Sequence, residues 1–364
     1  MMNNIVTMGL ISILASLFFS CREQVSPLSE DYFKKSGAIY FIPGGNGFER
    51  GSRKTVADIN SFSVIEGVYA RDKDHIYFMG CPQQLVDVKT FQLKNKVPID
   101  QQHVFKFEGF ASATSDCSKN QLSVIEKADP ETYITLYDEL QALSKDKSSY
   151  YYHNQRIAVD YATFEVLNKN FVRDKHQLYL ATQKTIHPLN YTVDQVHCIN
   201  REYLILEDKT LLYYEPYQGT GILETKLTSA KQIKSLDEKS LIIDDLVIIR
   251  GKPFTDQQVD ANSFRILGSS GGNSFWSRDK NHIYYNQQLL VEADPNTFEI
   301  LKLAVAKDAN HIFVGNKIFY GPDVKSFRRV NKSSANYDFE DDLGNKYWYR
   351  TNKGQVVLAP VNKK

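Results

Sequence analysis

The chain has 364 residues, with 44 Lys and Arg against 43 Asp and Glu, and Tyr and Phe alone number 22 and 21. This near-neutral balance, with no basic block, excludes the phosphate-tracking surface that nucleic-acid binding requires. Length alone suggests about two domains at roughly 150 residues each, but an internal repeat overrides that expectation.

Residues 5–19 are apolar apart from Thr7, Gly9, Ser12 and Ser16. The run is too short and interrupted for a membrane span of about 20 residues and suits the h-region of a secretory signal. It ends Leu17-Phe18-Phe19-Ser20-Cys21. A small residue before a cysteine resembles the lipobox of bacterial lipoproteins. That resemblance implies a signal peptide over 1–20, lipid attachment at Cys21 and a tether over 21–34; an ordinary cleaved signal or an uncleaved anchor is the alternative. Arg22, in place of the Asp of an inner-membrane retention signal, favours an outer-membrane lipoprotein facing the periplasm.

From residue 35 to 350 two phrases alternate. Lys35 with Ile39-Tyr40-Phe41 reads as a degenerate first unit, followed by a glycine-rich stretch, Pro43-Gly44-Gly45-Asn46-Gly47, expected to be a flexible loop. Arg71-Asp72-Lys73-Asp74-His75-Ile76-Tyr77-Phe78 is the first full copy of one phrase, and it returns at 173–180, 278–285 and 307–314. Weaker copies start at Asp100, Asp146, Asp208, Asp245 and Asp342. The second phrase, an Asp followed by Thr or Ser and an aromatic residue, falls at Asp129, Asp160, Asp260 and Asp294. Asp279 to Asp308 and Asp294 to Asp323 are both 29 residues, and Asp72 to Asp87 and Asp279 to Asp294 are both 15. The frame contains roughly nine or ten units.

Each unit reads as two or three short strands. Around 307–310 the Asp and Asn residues suit a turn, and Gly315-Asn316 suits a hairpin. Asp-Pro-x-Thr-Phe suits one helical turn, with Asp as cap, Pro at the first position and Phe as a core plug. Tyr284, Phe298, Phe313 and Phe327 are expected inside, and Lys280 and Asn296 outside. A lone hairpin is marginal, so units must stack to share a core. The expected fold is all-β, with tandem repeats of about 29 residues forming an open or curved solenoid of antiparallel strands; propeller-like closed rings are the alternative. Helical spacing of Tyr133, Leu136, Tyr137, Leu140 and Leu143 predicts one helix over 131–144, with a second short one within 226–240. Residues 351–364 read as a C-terminal tail.

The Asp279-Lys280-Asn281-His282-Ile283-Tyr284-Tyr285 run, joined to Ala293-Asp294-Pro295-Asn296-Thr297-Phe298, resembles the DKNYY family of bacterial exported proteins. The resemblance spans roughly 35–350, with departures at 105–128 and 213–240. It implies an architecture and a compartment and carries over no catalytic residue.

With Cys21 acylated, three cysteines remain, so at least one stays outside any intrachain pair. Cys81 and Cys117, both where the repeat departs from pattern, are the candidate disulfide, three thiols being the alternative. The Asp/His pairs 72/75, 100/103, 279/282 and 308/311 have the chemistry of metal ligands, but an Asp that organises a turn and a His that begins the next strand account for them better. No calcium-loop pattern, P-loop or nucleophile elbow occurs, including at Gly268-Ser269-Ser270-Gly271-Gly272. No catalytic residue, metal site or cofactor is expected. The insertions 43–54, 106–127 and 214–232 are where binding would concentrate. The leading expectation is a lipid-anchored, non-enzymatic envelope protein that binds a protein or an envelope polymer. An immunity or inhibitor protein against an antibacterial effector and an envelope hydrolase on a repeat platform are the alternatives.

Overall fold

A computed structural model describes residues 25–361 apart from 109–112, 115, 137–139, 141, 192–195, 217–220, 255–257, 269–274, 331–336 and 353–354. The proposed signal peptide and Cys21 lie outside the described residues. The chain divides into two compact units, 1–138 with 142–161, and 139–141 with 162–364.

Short strands separated by tight turns force local antiparallel pairing, because a parallel neighbour would need a crossover of a dozen or more residues. The described residues accordingly form nine four-stranded antiparallel sheets, each with its strands in chain order. The bridge Ile99↔Val104 joins two further strand pairs, Gln92–Lys94 with Val97–Ile99 and Phe105–Lys106 with Ser123–Val124, into a tenth. Four sheets belong to the N-terminal unit (25–54, 63–82, 92–124 and 134–156) and six to the C-terminal unit (165–189, 196–226, 233–253, 265–290, 299–318 and 328–360). No sheet closes into a barrel among the described residues.

One sheet shows the plan. Glu299–Lys302, Val305–Lys307, Ile312–Val314 and Lys317–Ile318 pair in sequence, with Lys307 opposite Ile312 and Phe313 opposite Ile318. The turn between the second and third strands sits at one end with the links to neighbouring sheets; this is the connecting end. The other two turns share the opposite, hairpin end.

Within each unit the core lies between successive sheets. Side chains alternate across a strand, so an inner strand feeds two cores. Tyr284 packs with Ile242, Val247 and Phe264 of the preceding layer, whereas Ile283 packs with Trp276, Ala306 and Phe313 toward the next. Burial on both faces explains why the inner strands read as unbroken apolar and aromatic runs. Tyr284, Phe313 and Phe327 are buried, Phe298 is half-buried against the same core, and Lys280 and Asn296 are exposed.

The repeats are thus sheets of four strands rather than the two or three expected, and the array is longer. Val25–Pro27 pairs with Tyr32–Lys35 inside the expected tether, because Tyr32 belongs to the first core. Gln355–Pro360 closes the last sheet inside the expected tail, with Leu358 buried. Neither expected helix forms. Ile134–Thr135 and Leu143–Lys145 are paired strands, and the Asp129-Pro130 start signal yields only a single turn, with Tyr133 N bonded to Asp129 O at 2.9 Å. Within 226–240, Ile233–Ser235 is likewise a strand. Instead, the glycine-rich stretch expected to be a loop forms a 3-10 turn, Pro43–Gly45, and leads into a four-residue helix, Gly47–Arg50. No helix of the described residues is long and apolar enough to cross a membrane.

Candidate functional site

The recurring carboxylates come first, because they carry the sequence signature. Asp279 follows the second strand of its sheet, Trp276–Arg278, and is 1 % exposed. Its Oδ1 accepts the backbone N–H groups of Asn281 and His282, both at 2.8 Å. Its Oδ2 accepts the N–H of Asp260 at 3.0 Å and the Tyr284 hydroxyl at 2.9 Å. Asp72 repeats the set with Asp74, His75, Asp58 and Tyr77, and Asp146 with Ser148, Ser149, Asp129 and Tyr151. Asp100 and Asp308 make the same three backbone contacts, with Phe105 and Phe313 in the tyrosine's place.

The second phrase is the other half of this lock. Its Asp supplies the N–H that reaches the first-phrase carboxylate across the sheet boundary. Its Thr or Ser hydroxyl then accepts the backbone N–H of the residue after that carboxylate: Lys73 to Ser61, Lys147 to Thr132, Lys280 to Ser263 and Ala309 to Thr297, at 3.0–3.1 Å. Where that residue is lysine, its ammonium also reaches the second-phrase carboxylate at Asp58, Asp129 and Asp260.

The electrostatics follow. Burial pushes the carboxyls of Asp72, Asp146 and Asp279 up, but the hydrogen bonds converging on each anion outweigh it and leave the pKa below the ordinary value. Lys147 is the main cause that holds half-buried Asp129 down at about 2. In the last sheet the locking carboxylate is Asp341, buried and bonded to Asn345 and Asp323. Asp342, the residue the sequence frame selects, is exposed and pairs with Arg328. Asp208 is also exposed, paired with Lys226 rather than locking two sheets.

In the Asp/His pairs the ring lies beside a carboxylate that is already engaged, and the Nδ1 of His282 is within 3.3 Å of Asp279 Oδ2. In a full lock each carboxylate oxygen already serves two donors, so a ligating role would break the turn. The Nδ1 atoms of His75, His103 and His311 lie 3.6, 3.3 and 3.5 Å from Oδ1 of their Asp. Their rings pack at 5.8–5.9 Å on Tyr77, Phe105 and Phe313. Among the described residues no group of three or more His, Cys, Asp or Glu is placed to hold a metal ion.

The hairpin end carries different devices. Tyr32 donates its hydroxyl proton to Val68 O at 2.8 Å and accepts from Gly80 N at 3.0 Å, 36 and 48 residues away. Tyr203 does the same with Lys239 O and Gly251 N, both at 2.8 Å and at the same separations. Gly80 and Gly251 have φ of +75° and +74°, and a Cβ would lie 2.7 Å from Phe41 Cβ and 2.9 Å from Tyr213 Cβ. Only glycine fits there. Cys81, next to Gly80, is joined by a disulfide to Cys117, with Cα atoms 5.3 Å apart; Cys198 is an exposed thiol.

Within the C-terminal unit, the hairpin end also holds two concave sites. A cavity of about 190 Å³ is lined by Glu215, Arg250, Lys252, Phe275, Trp276 and Asn286, among others. Glu215 and Leu223 bring the 214–232 insertion into its wall. A wider groove of about 490 Å³ lies beside it, lined by Tyr285, Asn286, Ile318, Phe319 and Val357, among others. Asn286 and Gln287, both at positive φ, form the tight turn between the two. Neither depression is lined by a locking Asp, Thr, Ser or Tyr side chain, although Tyr285 and Val314, the last positions of two phrase copies, line the groove. Of the other insertions, 43–54 caps the hairpin end of the first sheet and 106–127 carries Cys117; residues 269–272 lie outside the described set.

Fold and site together define a β-repeat protein in which tandem meander sheets are locked by buried carboxylates, with its concave surface elsewhere. The model of the DKNYY family matches residues 86–217, 143–317 and 276–362, and the chain belongs to that family. No curated protein and no solved structure matches it.

Proposed function

We propose that this is a lipid-anchored, non-enzymatic protein of the bacterial envelope that binds a protein or an envelope polymer through the hairpin end of its C-terminal unit. The observation that carries the reading is a division of labour among residue types. The recurring Asp, Thr and Tyr side chains are consumed in holding sheets together. The cavity at 215–287 is lined by side chains that do not recur, and it places aromatic carbon (Phe275, Trp276) beside cations and an amide (Arg250, Lys252, Asn286). Such a mixture suits recognition: aromatic faces give contact area at low entropy cost, while the polar groups fix orientation. Export and attachment rest on the apolar run ending at Ser20-Cys21.

Affinity capture from envelope extracts tests the binding role, comparing the parent with Phe275→Ala and Lys252→Glu. Both side chains line the cavity mouth outside the locks, so both variants should fold normally. The expected result is one dominant co-eluting component, lost from both variants. Identical capture by all three proteins, or turnover of an envelope polymer by the purified protein, would contradict the reading. The mass of the N-terminal peptide tests the anchor: a diacyl or triacyl Cys21 is expected, and an unmodified terminus would remove it.

A further inference from the structure

We propose that the first sheet, residues 25–54, is a second membrane contact, with its outer strand and the Phe48 loop seated in the lipid headgroup region; this rests on the proposed acylation of Cys21. The outer strand, Val25–Pro27, is exposed along its whole length. Val25 is 48 % exposed, Leu28 is 44 % exposed, and Phe48 is 100 % exposed. Leu28 and Phe48 belong to neighbouring segments at the hairpin end. The turn that Leu28 opens is bound to the 42–52 connection by Ile42 N to Asp31 O and by Gly44 N to Asp31 Oδ1, both at 2.7 Å. Phe48 does not hang from a loose loop. Asn46 caps its four-residue helix, accepting from Glu49 N at 3.2 Å and donating to Glu49 Oε2 at 2.8 Å. A large apolar side chain is therefore fixed in full exposure where local bonding could as readily have presented a polar one.

Chain length says what covers it. Only Arg22, Glu23 and Gln24 separate Cys21 from Val25, so the first strand starts within about 14 Å of an acylated cysteine. Val25 is then at the bilayer interface, and Leu28 and Phe48, about 10 Å further along one three-residue strand, come within reach of it, where aliphatic and aromatic side chains bury about 5–10 Å deep. Between positions 22 and 54 there are six basic and four acidic residues, a balance that does not oppose an anionic leaflet. Lipid chains and protein contact would then act as two anchoring signals and hold the array at a set orientation to the surface.

The test uses the full chain, expressed with its signal, purified and reconstituted into vesicles of phosphatidylethanolamine and phosphatidylglycerol carrying brominated acyl chains. Phe48→Trp is compared with the parent and with Val291→Trp, which is also highly exposed but lies in the C-terminal unit. Phe48 has no core contact to lose, so the variant should fold. N-terminal peptide mass and vesicle flotation are read on the same samples. The expected result is acylated protein that floats, with the extra emission of the Phe48→Trp variant blue-shifted and largely lost in brominated lipid, while Val291→Trp behaves as the parent plus a solvent-exposed indole. Acylated, floating protein in which the extra Phe48→Trp emission is unchanged by bromine overturns the second contact and leaves the anchor standing. A blue shift without quenching means that a protein covers this position and also overturns it. Unacylated protein that does not float overturns both.

Discussion

Residues 260–341 and residues 165–253 stack sheets by different means. In the first stretch, Asp279, Asp308 and Asp341 each hold the N–H of a second-phrase Asp at the connecting end. In the second, Asp174 repeats the carboxylate set in the first sheet, and further polar stitching appears at the hairpin end, built from amides. Asn168 and Asn200 each cap their own turn through Oδ1. Asn168 Nδ2 donates to Asn200 O at 3.1 Å, and Asn200 Nδ2 donates to Ser235 Oγ at 2.9 Å and Asp237 O at 3.3 Å, so the turns climb like rungs. Lys169, Glu202, Arg201 and Glu238 run alongside as an ionic strand. The hydrophobic layers beneath are alike in both stretches. Burial therefore supplies the stacking, and the polar device fixes where one layer meets the next; either an anion with four donors or an amide with both roles filled can do that.

The largest expected effect lies in what the two stretches share. Phe327 is fully buried, stacked on Phe339 with centroids 5.3 Å apart, and Phe327→Ala should cost about 3–5 kcal/mol in chemical unfolding. A loss below about 1 kcal/mol would mean that the plug residues are not core. In the N-terminal unit, replacing both Cys81 and Cys117 by Ala should cost about 3–4 kcal/mol, because the bridge closes a separation of 36 residues. Unfolding with and without reductant checks this.

Exchanging the polar groups sharpens the comparison. Asp279→Asn turns one acceptor oxygen into a donor facing donors and should cost about 2–3 kcal/mol. Asn200→Asp turns a donor into an acceptor facing Ser235 Oγ and Asp237 O, in a more exposed place, and should cost about 1 kcal/mol. The reverse order would show that the amide ladder, not the carboxylate lock, is the stiffer device.

Acid should separate the two stretches by a smaller margin. Asp72, Asp146, Asp279 and Asp341 have folded pKa values below their unfolded ones. Their contribution is therefore complete above the unfolded value, near about 3.9, and is lost as pH falls through the folded value. Hydrogen exchange between about pH 6 and pH 3 should show the turns at 72–75, 146–149 and 279–282 losing protection, while those at Asn168 and Asn200, whose amides do not titrate, keep theirs. Uniform loss would contradict the assignment.

The sequence made one of these stretches legible and hid the other. Asp-lock residues are legible because each half is itself a recurring phrase, although the two halves stand 13 to 19 residues apart. The amide ladder joins Asn168, Asn200 and Asp237 at unequal steps and shares no phrase, so it reads as ordinary loop. The Tyr32 and Tyr203 stitches do share separations, 36 and 48, but their partners act through backbone and leave only the donors Gly80 and Gly251 as a trace. Tyr133, Leu140 and Leu143 mimic helical spacing because a plug residue, a connection and a strand deliver them in turn to buried positions. The frame chose Asp342 over Asp341 because its counting could not see which carboxylate is buried. The cavity at 215–287 was legible only as an insertion at 214–232, since its lining is drawn from three sheets.

The central claim is that the recurring aspartate of this chain is a structural lock. Site-resolved hydrogen exchange of Asp279→Asn, read at the amides of Asp260, Asn281 and His282 beside partner capture by the same protein, tests it most directly. The account predicts faster exchange at those three amides, corresponding to about 2–3 kcal/mol, with captured material unchanged. Unaltered exchange with capture abolished would contradict it.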